Sequence, residues 1–168
     1  IKELKKSEIK KIKLIVFDVD GVLVSRGTKI KQVGNTTTLQ TKKIPEALIS
    51  QIKELNKKGF HININSGRGL YMLQTMFQDV LEFVSITYEN GSATWLNGKV
   101  TQHINSFNHL RKVLPKLQKV KNKNIKGFEP KEFIITIHCK QRVKELENIL
   151  KKERKLYYIW NDEAYDIG

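Results

Sequence analysis

Residues 13–24, KLIVFDVDGVLV, constrain this chain more than any other stretch. Four apolar residues in succession, Leu14, Ile15, Val16 and Phe17, predict a strand buried on both faces in the middle of a parallel sheet. That strand runs straight into Asp18, Asp20 and Gly21, and charge at the end of a buried strand needs a chemical reason. Asp18 and Asp20 are two apart, so they point the same way while the strand lasts, and Gly21 lets the backbone turn sharply behind them. Two carboxylates converging on one small volume can hold a hard divalent cation through oxygen, or divide labour as ionised nucleophile and proton carrier. An EF-hand loop is excluded: counted from Asp18, its fifth, sixth and twelfth places are Val22, Leu23 and Lys29, where the loop needs a glycine at six and a glutamate at twelve. A strand-end turn with solvated aspartates is the plainer alternative.

The chain after Val24 supplies partners for that strand. Residues 25–43 are polar and β-prone around Gly34-Asn35, which reads as a hairpin lying over the aspartates or as a long surface loop. Residues 44–58 carry Ile44, Ala47, Leu48, Ile52 and Leu55 at helical spacing, with Pro45 and Glu46 in the first turn and Gly59 at the end. Residues 60–65, FHININ, alternate as a second strand, which completes a right-handed parallel βαβ unit. It ends in Asn65-Ser66-Gly67-Arg68-Gly69, ahead of an apolar-periodic helix over 70–83. A serine there either caps the helix or offers its hydroxyl and nearby N–H groups to a phosphate. With Asp18 and Asp20 at the same end of the neighbouring strand, phosphate is the stronger reading for Ser66, Gly67 and Arg68. A third strand, 84–88, ends in Glu89-Asn90-Gly91.

From Ser92 the pattern changes to strand, strand, helix, twice over. Strands 93–96 and 100–104 turn at Asn97-Gly98. A helix opened by Asn105 or Ser106 follows, kinked by Pro115, and 119–126 reads as a solvated turn. A strand over 133–138, a helix over 141–154 supported by Glu147 and Lys151, and strands 156–160 and 164–167 complete the chain. This predicts a core at 1–91, with a flap at about 25–43, and a small α+β layer at 92–168. The first twelve residues, with scattered Ile1, Leu4, Ile9 and Ile12, read as a short helix or a loose arm.

A single Cys139 excludes a disulfide framework and an all-cysteine zinc site. His61, His103, His109 and His138 have no metal-ligand spacing and read as satisfied strand or surface histidines. No apolar run approaches a membrane span and the N-terminal stretch lacks the apolar block of a secretory signal, so a cytoplasmic location is expected. The net charge of +14 suits steering of anionic ligands or a lysine-rich solvated surface. No reader motif or aromatic stacking run points to nucleic acid, and the oligomeric state has no signature.

The apolar strand followed by Asp18-Val19-Asp20-Gly21-Val22-Leu23 resembles the first motif of the haloacid dehalogenase (HAD) phosphohydrolase superfamily, and Ser66 matches its second. The resemblance implies an α/β fold, a Rossmann-like parallel-sheet core, here partial, with an α+β cap inserted after the third core strand. It further implies a magnesium-dependent phosphomonoester hydrolase acting on a small phosphorylated metabolite, a sugar phosphate, through an aspartyl-phosphate. Asp18 would be the nucleophile and Asp20 the acid and base, Mg2+ would bind the Asp18 carboxylate and the Asp20 carbonyl, and Ser66 would hold the phosphoryl group beside Gly67 and Arg68. Gly127-Phe128-Glu129-Pro130-Lys131 with Ile137-His138 is similar to the cap segment of trehalose-phosphate phosphatases, in which a Glu and a Lys meet the sugar. That makes Glu129 and Lys131 candidate substrate readers, although Cys139-Lys140 replaces the aromatic and arginine usual there. The superfamily's later lysine and acidic motifs do not occur in the sequence, so the resemblance implies a truncated view of a longer polypeptide, inactive as residues 1–168 alone. A phosphomutase of the same superfamily, which residues 18–30 also resemble, and a non-catalytic binding or regulatory module are the alternatives.

Overall fold

The computed structural model describes residues 5–27, 29–34, 36–40 and 42–168. Ile1 and Leu4 of the N-terminal arm, and Asn35 of the expected flap turn, lie outside them. A short helix α1, Lys6–Ile9, precedes β1, Leu14–Asp18. The flap is an antiparallel hairpin of β2, Lys29–Val33, and β3, Thr36–Gln40. Helix α2, Glu46–Lys57, then crosses to β4, His61–Asn65, which pairs with β1 in parallel. Gly59, at φ 85°, turns the chain between them, a conformation open to glycine at no steric cost.

The helix expected over 70–83 is divided. Helix α3, Leu70–Met76, ends at Phe77, whose φ of −106° leaves the α region, and a 3-10 helix, Gln78–Phe83, carries the chain on to β5, Val84–Tyr88. The tighter winding still turns Val80 fully inward, beside the equally buried Leu73 and Phe77.

Among the described residues, five strands form the core sheet in the order β1-β4-β5-β6-β7, with β6, Ala93–Leu96, and β7, Lys99–Gln102. Two expectations change here. The hairpin around Asn97-Gly98, assigned by sequence to the 92–168 unit, pairs antiparallel with β5 and extends the core sheet. Strand β1 lies at the sheet's edge, with β4 as its one neighbour among the described strands; Leu14 and Val16 are half exposed, while Ile15 and Phe17 pack on the core. It is buried on one face only.

The second sheet runs β10-β11-β9-β8, antiparallel throughout. Helix α4, Phe107–Gln118, passes through Pro115 as one helix and leads to β8, Ile125–Glu129. Part of the expected solvated turn at 119–126 is therefore strand. Strand β9, Ile135–Cys139, is followed by α5, Lys144–Leu150, shorter than the expected 141–154, and by β10, Tyr158–Trp160, and β11, Ala164–Ile167. Glu147 pairs with Arg142 at 3.0 Å and accepts the Tyr165 hydroxyl at 2.9 Å, rather than closing an ion pair with Lys151. One face of this sheet, with Ile135, Ile137, Cys139, Tyr165 and Ile167, packs on Leu110, Val113, Leu117, Leu146 and Leu150 of α4 and α5, a second apolar cluster separate from that of the core.

The flap docks on the edge of this second sheet. The Phe128 N–H donates to Gln32 Oε1 at 2.9 Å and Thr37 Oγ1 donates to the Phe128 carbonyl at 3.4 Å, so side chains of the hairpin stand in for a strand. A Cβ on Gly127 would lie 3.1 Å from Gln32 Cβ and 2.9 Å from its Oε1. We predict that Gly127→Val lifts the hairpin, costs about 1–3 kcal/mol in urea unfolding, and makes residues 25–43 the first site of limited proteolysis. Unchanged stability and cleavage would show that the flap does not depend on this contact.

Candidate active site

The parallel pairing of β1 with β4 places Asp18 opposite Asn65, so the loops that leave both strands open at one end of the sheet. Residues 18–24 wind around the Val19 carbonyl, which accepts from the N–H groups of Val22, Leu23 and Val24 at 3.4, 3.0 and 3.0 Å. The Val19 side chain is fully buried and anchors the loop. Gly21, at φ 86°, makes the reversal, and its N–H donates to the Val24 carbonyl at 2.7 Å. Asp18 Oδ1 accepts the Val19 N–H at 2.7 Å, which fixes that carboxylate's direction.

The β4 loop supplies the facing groups. Ser66 is buried, and its hydroxyl accepts the Arg68 N–H at 3.3 Å. It does not cap α3, whose N-cap is Gly69. The Arg68 guanidinium grips Asp20 in a two-pronged pair, Nε to Oδ2 at 2.8 Å and Nη2 to Oδ1 at 2.7 Å. A Cβ on Gly67 would meet Asn90 Oδ1 at 2.8 Å, so a side chain there would displace the Asn90 amide.

The second sheet forms the opposite wall of a cleft of about 360 Å³ that contains Asp18, Asp20, Ser66, Gly67 and Arg68 together with Glu129 and Lys131. All seven residues singled out in the sequence therefore meet in one space. Lys131 Nζ donates to the Gly67 carbonyl at 2.6 Å and lies 2.9 Å from Glu129 Oε1. The latter approach is a buried ion pair. Glu129 Oε2 meets His138 Nε2 at 2.7 Å, and because an ionised carboxylate only accepts, the ring nitrogen donates. Burial works to raise the Glu129 carboxyl, but the His138 hydrogen bond and the Lys131 ammonium outweigh it and hold the group below its ordinary value of 4.5.

Several lining residues were given no role in the sequence reading. Thr136 and His138 alternate with the apolar face of β9 and so point away from Ile135 and Ile137 into the cleft. Asp166 sits opposite Thr136 in the β9–β11 register and accepts its hydroxyl at 2.6 Å, with Asn161 Nδ2 at 3.4 Å from the other oxygen. Arg26 and Asn90 also line the space. The two-residue alternation of β9 was the available signal for Thr136 and His138. The others depend on pairings distant in sequence.

The oxygen-only donor set at Asp18 and Asp20 suits a hard divalent cation, which can take one or two protein oxygens and fill its remaining places with water and substrate. Among the described residues no three His, Cys, Asp or Glu side chains converge as a metal cage. No described helix is long and apolar enough to cross a membrane.

A sequence profile of haloacid dehalogenase-like hydrolases matches residues 15–167. No curated protein matches the chain. Among solved structures, a haloacid dehalogenase-like hydrolase from Bacteroides thetaiotaomicron is similar at TM-score 0.65 and 14% identity, over 94% of this chain and 71% of its own. BT4131, described as a HAD subclass IIB sugar phosphatase, is similar at TM-score 0.61 and 17% identity, over 92% of this chain and 69% of its own. A trehalose-6-phosphate phosphatase related protein follows at 0.55 and 14%, over 92% and 66%. At these identities the likeness is one of fold.

The lowered Glu129 carboxyl has a consequence for stability. A group depressed in the folded state contributes stability that is fully present above its unfolded value and is lost as pH falls through the folded one. Comparing urea midpoints of the protein and Glu129→Gln from pH 7 to pH 3, we predict a difference that holds steady above about pH 4.5 and shrinks below it. A difference independent of pH would mean that the ionised Glu129 adds nothing.

Proposed function

Because the chain belongs to the haloacid dehalogenase-like hydrolase family, we propose that it carries the reacting groups of a phosphatase acting on a small phosphorylated metabolite, most suitably a sugar phosphate. The observation that carries this reading is the shared cleft. Asp18, Asp20 and Ser66 stand on the core wall, and the hydrogen-bonding groups of Glu129 and Lys131 face them from the second sheet.

In this reading the Asp18 carboxylate attacks phosphorus, forming an acyl-phosphate bond as the bond to the leaving oxygen breaks. Asp20 gives its proton to that oxygen, and the alcohol departs. A water then attacks the same phosphorus, Asp20 takes up its proton, and inorganic phosphate leaves with Asp18 restored. Ser66 holds the transferring group through its hydroxyl. Arg68 has a second part in this account. It holds the Asp20 carboxylate in the two-pronged pair, and an incoming phosphate dianion competes for the same guanidinium. Mg2+ would be held by the Asp18 carboxylate and the Asp20 carbonyl, and when bound it supplies charge neutralisation for the phosphate oxygens. The paired Glu129 carboxylate and Lys131 ammonium suit hydroxyl groups on the leaving alcohol. We further propose that residues up to about 104 form the core and that the remainder forms the cap, a boundary moved from 91/92 by the pairing of β6 with β5.

Phosphate release from a panel of sugar phosphates and from p-nitrophenyl phosphate, measured with Mg2+ and with EDTA on the whole natural polypeptide that contains these residues, tests this reading. Asp18→Asn is expected to cut release by about a thousandfold or more, since it removes the nucleophile itself. Release undiminished in Asp18→Asn contradicts the assignment. Isomerised sugar phosphate without free phosphate would favour a phosphomutase, and no response to any phosphorylated ligand would favour a binding module.

A further inference from the structure

The Glu89-Asn90-Gly91 turn at the end of β5 has no part in the chemistry above, yet it is built with care. Glu89 and Asn90 both adopt left-handed backbone, at φ 49° and 56°, which non-glycine residues hold only where their surroundings demand it. Glu89 is 1% exposed. Its carboxylate accepts three consecutive backbone N–H groups from the second sheet's β8–β9 loop: Glu132 to Oε1 at 3.0 Å, and Phe133 and Ile134 to Oε2 at 2.7 and 3.1 Å. Successive N–H groups converging in this way make an anion-binding concavity, and here a core side chain fills it.

The same residue reaches the phosphate side of the cleft. Its N–H donates to the Arg68 carbonyl at 3.3 Å, and its carbonyl accepts the Ser92 hydroxyl at 2.6 Å. Beside it the Tyr88 ring packs on Phe133 with centroids 5.9 Å apart, and Phe133 joins the core's apolar cluster. The β8–β9 loop that begins with Pro130 and Lys131 directly follows Glu129, so whatever fixes that loop fixes Glu129 and Lys131.

We propose that Glu89 is a positioning residue: its carboxylate pins the β8–β9 loop to the core and so sets where Glu129 and Lys131 stand relative to Asp18 and Ser66. The part of the ligand that Glu89 governs is then the part beyond the phosphate, while the phosphate itself is met by groups of the core loops, which Lys131 touches at the Gly67 carbonyl. This rests on the reading of Glu129 and Lys131 as contacts for the leaving alcohol. Glu89→Gln replaces one accepting oxygen by an amide that confronts N–H donors, and Glu89→Asp keeps the charge but falls one methylene short.

Two measurements on the full chain test the proposal. The first is amide hydrogen exchange at Glu132, Phe133 and Ile134 without ligand, which is independent of any reading of function. The second is binding of glucose 6-phosphate and of inorganic phosphate by calorimetry, with Mg2+ present. We expect exchange at the three amides to rise about tenfold or more in both variants. Affinity for glucose 6-phosphate should fall about tenfold while affinity for inorganic phosphate stays within twofold, roughly the loss of one charged hydrogen-bond set. Unchanged exchange overturns the proposal whatever the binding result. Faster exchange with both ligands weakened equally, or with neither weakened, makes Glu89 a structural tie only and overturns the positioning role. Wild-type protein that binds neither ligand refutes the phosphatase reading, and the positioning role with it, while the exchange data still decide whether the tie exists.

Discussion

Everything at the cleft depends on the parallel pairing of β1 with β4, in which Asp18 lies opposite Asn65. Parallel strands joined by a crossover helix leave the sheet at the same end, so two loops far apart in sequence emerge side by side. One carries the aspartates around the buried Val19, and the other carries Ser66, Gly67 and Arg68. A register slip of one residue would turn Ile15 and Phe17 out of the core and Asp18 away from Ser66. The burial of alternate residues of β1 and β4 that holds the sheet together is thereby also what brings Asp18 and Ser66 to one end of it.

The second sheet meets this scaffold mainly through polar contacts. Lys131 binds the Gly67 carbonyl, Glu89 takes three N–H groups of the β8–β9 loop, and Gln32 of the flap takes a fourth from Phe128. Phe133 on Tyr88 adds one apolar contact. Polar ties of this sort require fixed directions and distances, so they define one relative placement more sharply than an apolar face would. They are also exchangeable with water.

What the sequence disclosed and what it hid follow from the range of each signal. The strand into Asp18 and Asp20, the crossover helix and the Asn97-Gly98 turn are local patterns of periodicity and turn chemistry, and they read directly. Strand β8 did not, because Ile125 and Phe128 are its only large apolar residues and a lysine- and asparagine-rich stretch precedes it. Its pairing with β9, like that of β6 with β5, is decided by the sheet as a whole. The half-exposed face of β1 among the described residues was hidden for the same reason, since four apolar residues in a row do not say which faces are covered. Glu89 was noticed only as the end of a strand, for a carboxylate that serves backbone N–H groups needs no partner side chain to betray it. Asp20 and Arg68 were both chosen from their loops, but their two-pronged pairing appears only when the loops are side by side.

The most direct test of the central claim is a search for the covalent intermediate on Asp18. The protein would be mixed with a sugar phosphate and Mg2+, quenched in acid within milliseconds to seconds, digested, and analysed by mass spectrometry for a phosphoryl group on the peptide containing Asp18. The account predicts an acid-stable, base-labile phosphoryl group on that residue, absent from Asp18→Asn. Phosphate release with no such species, or with the phosphoryl group on another side chain, would contradict it.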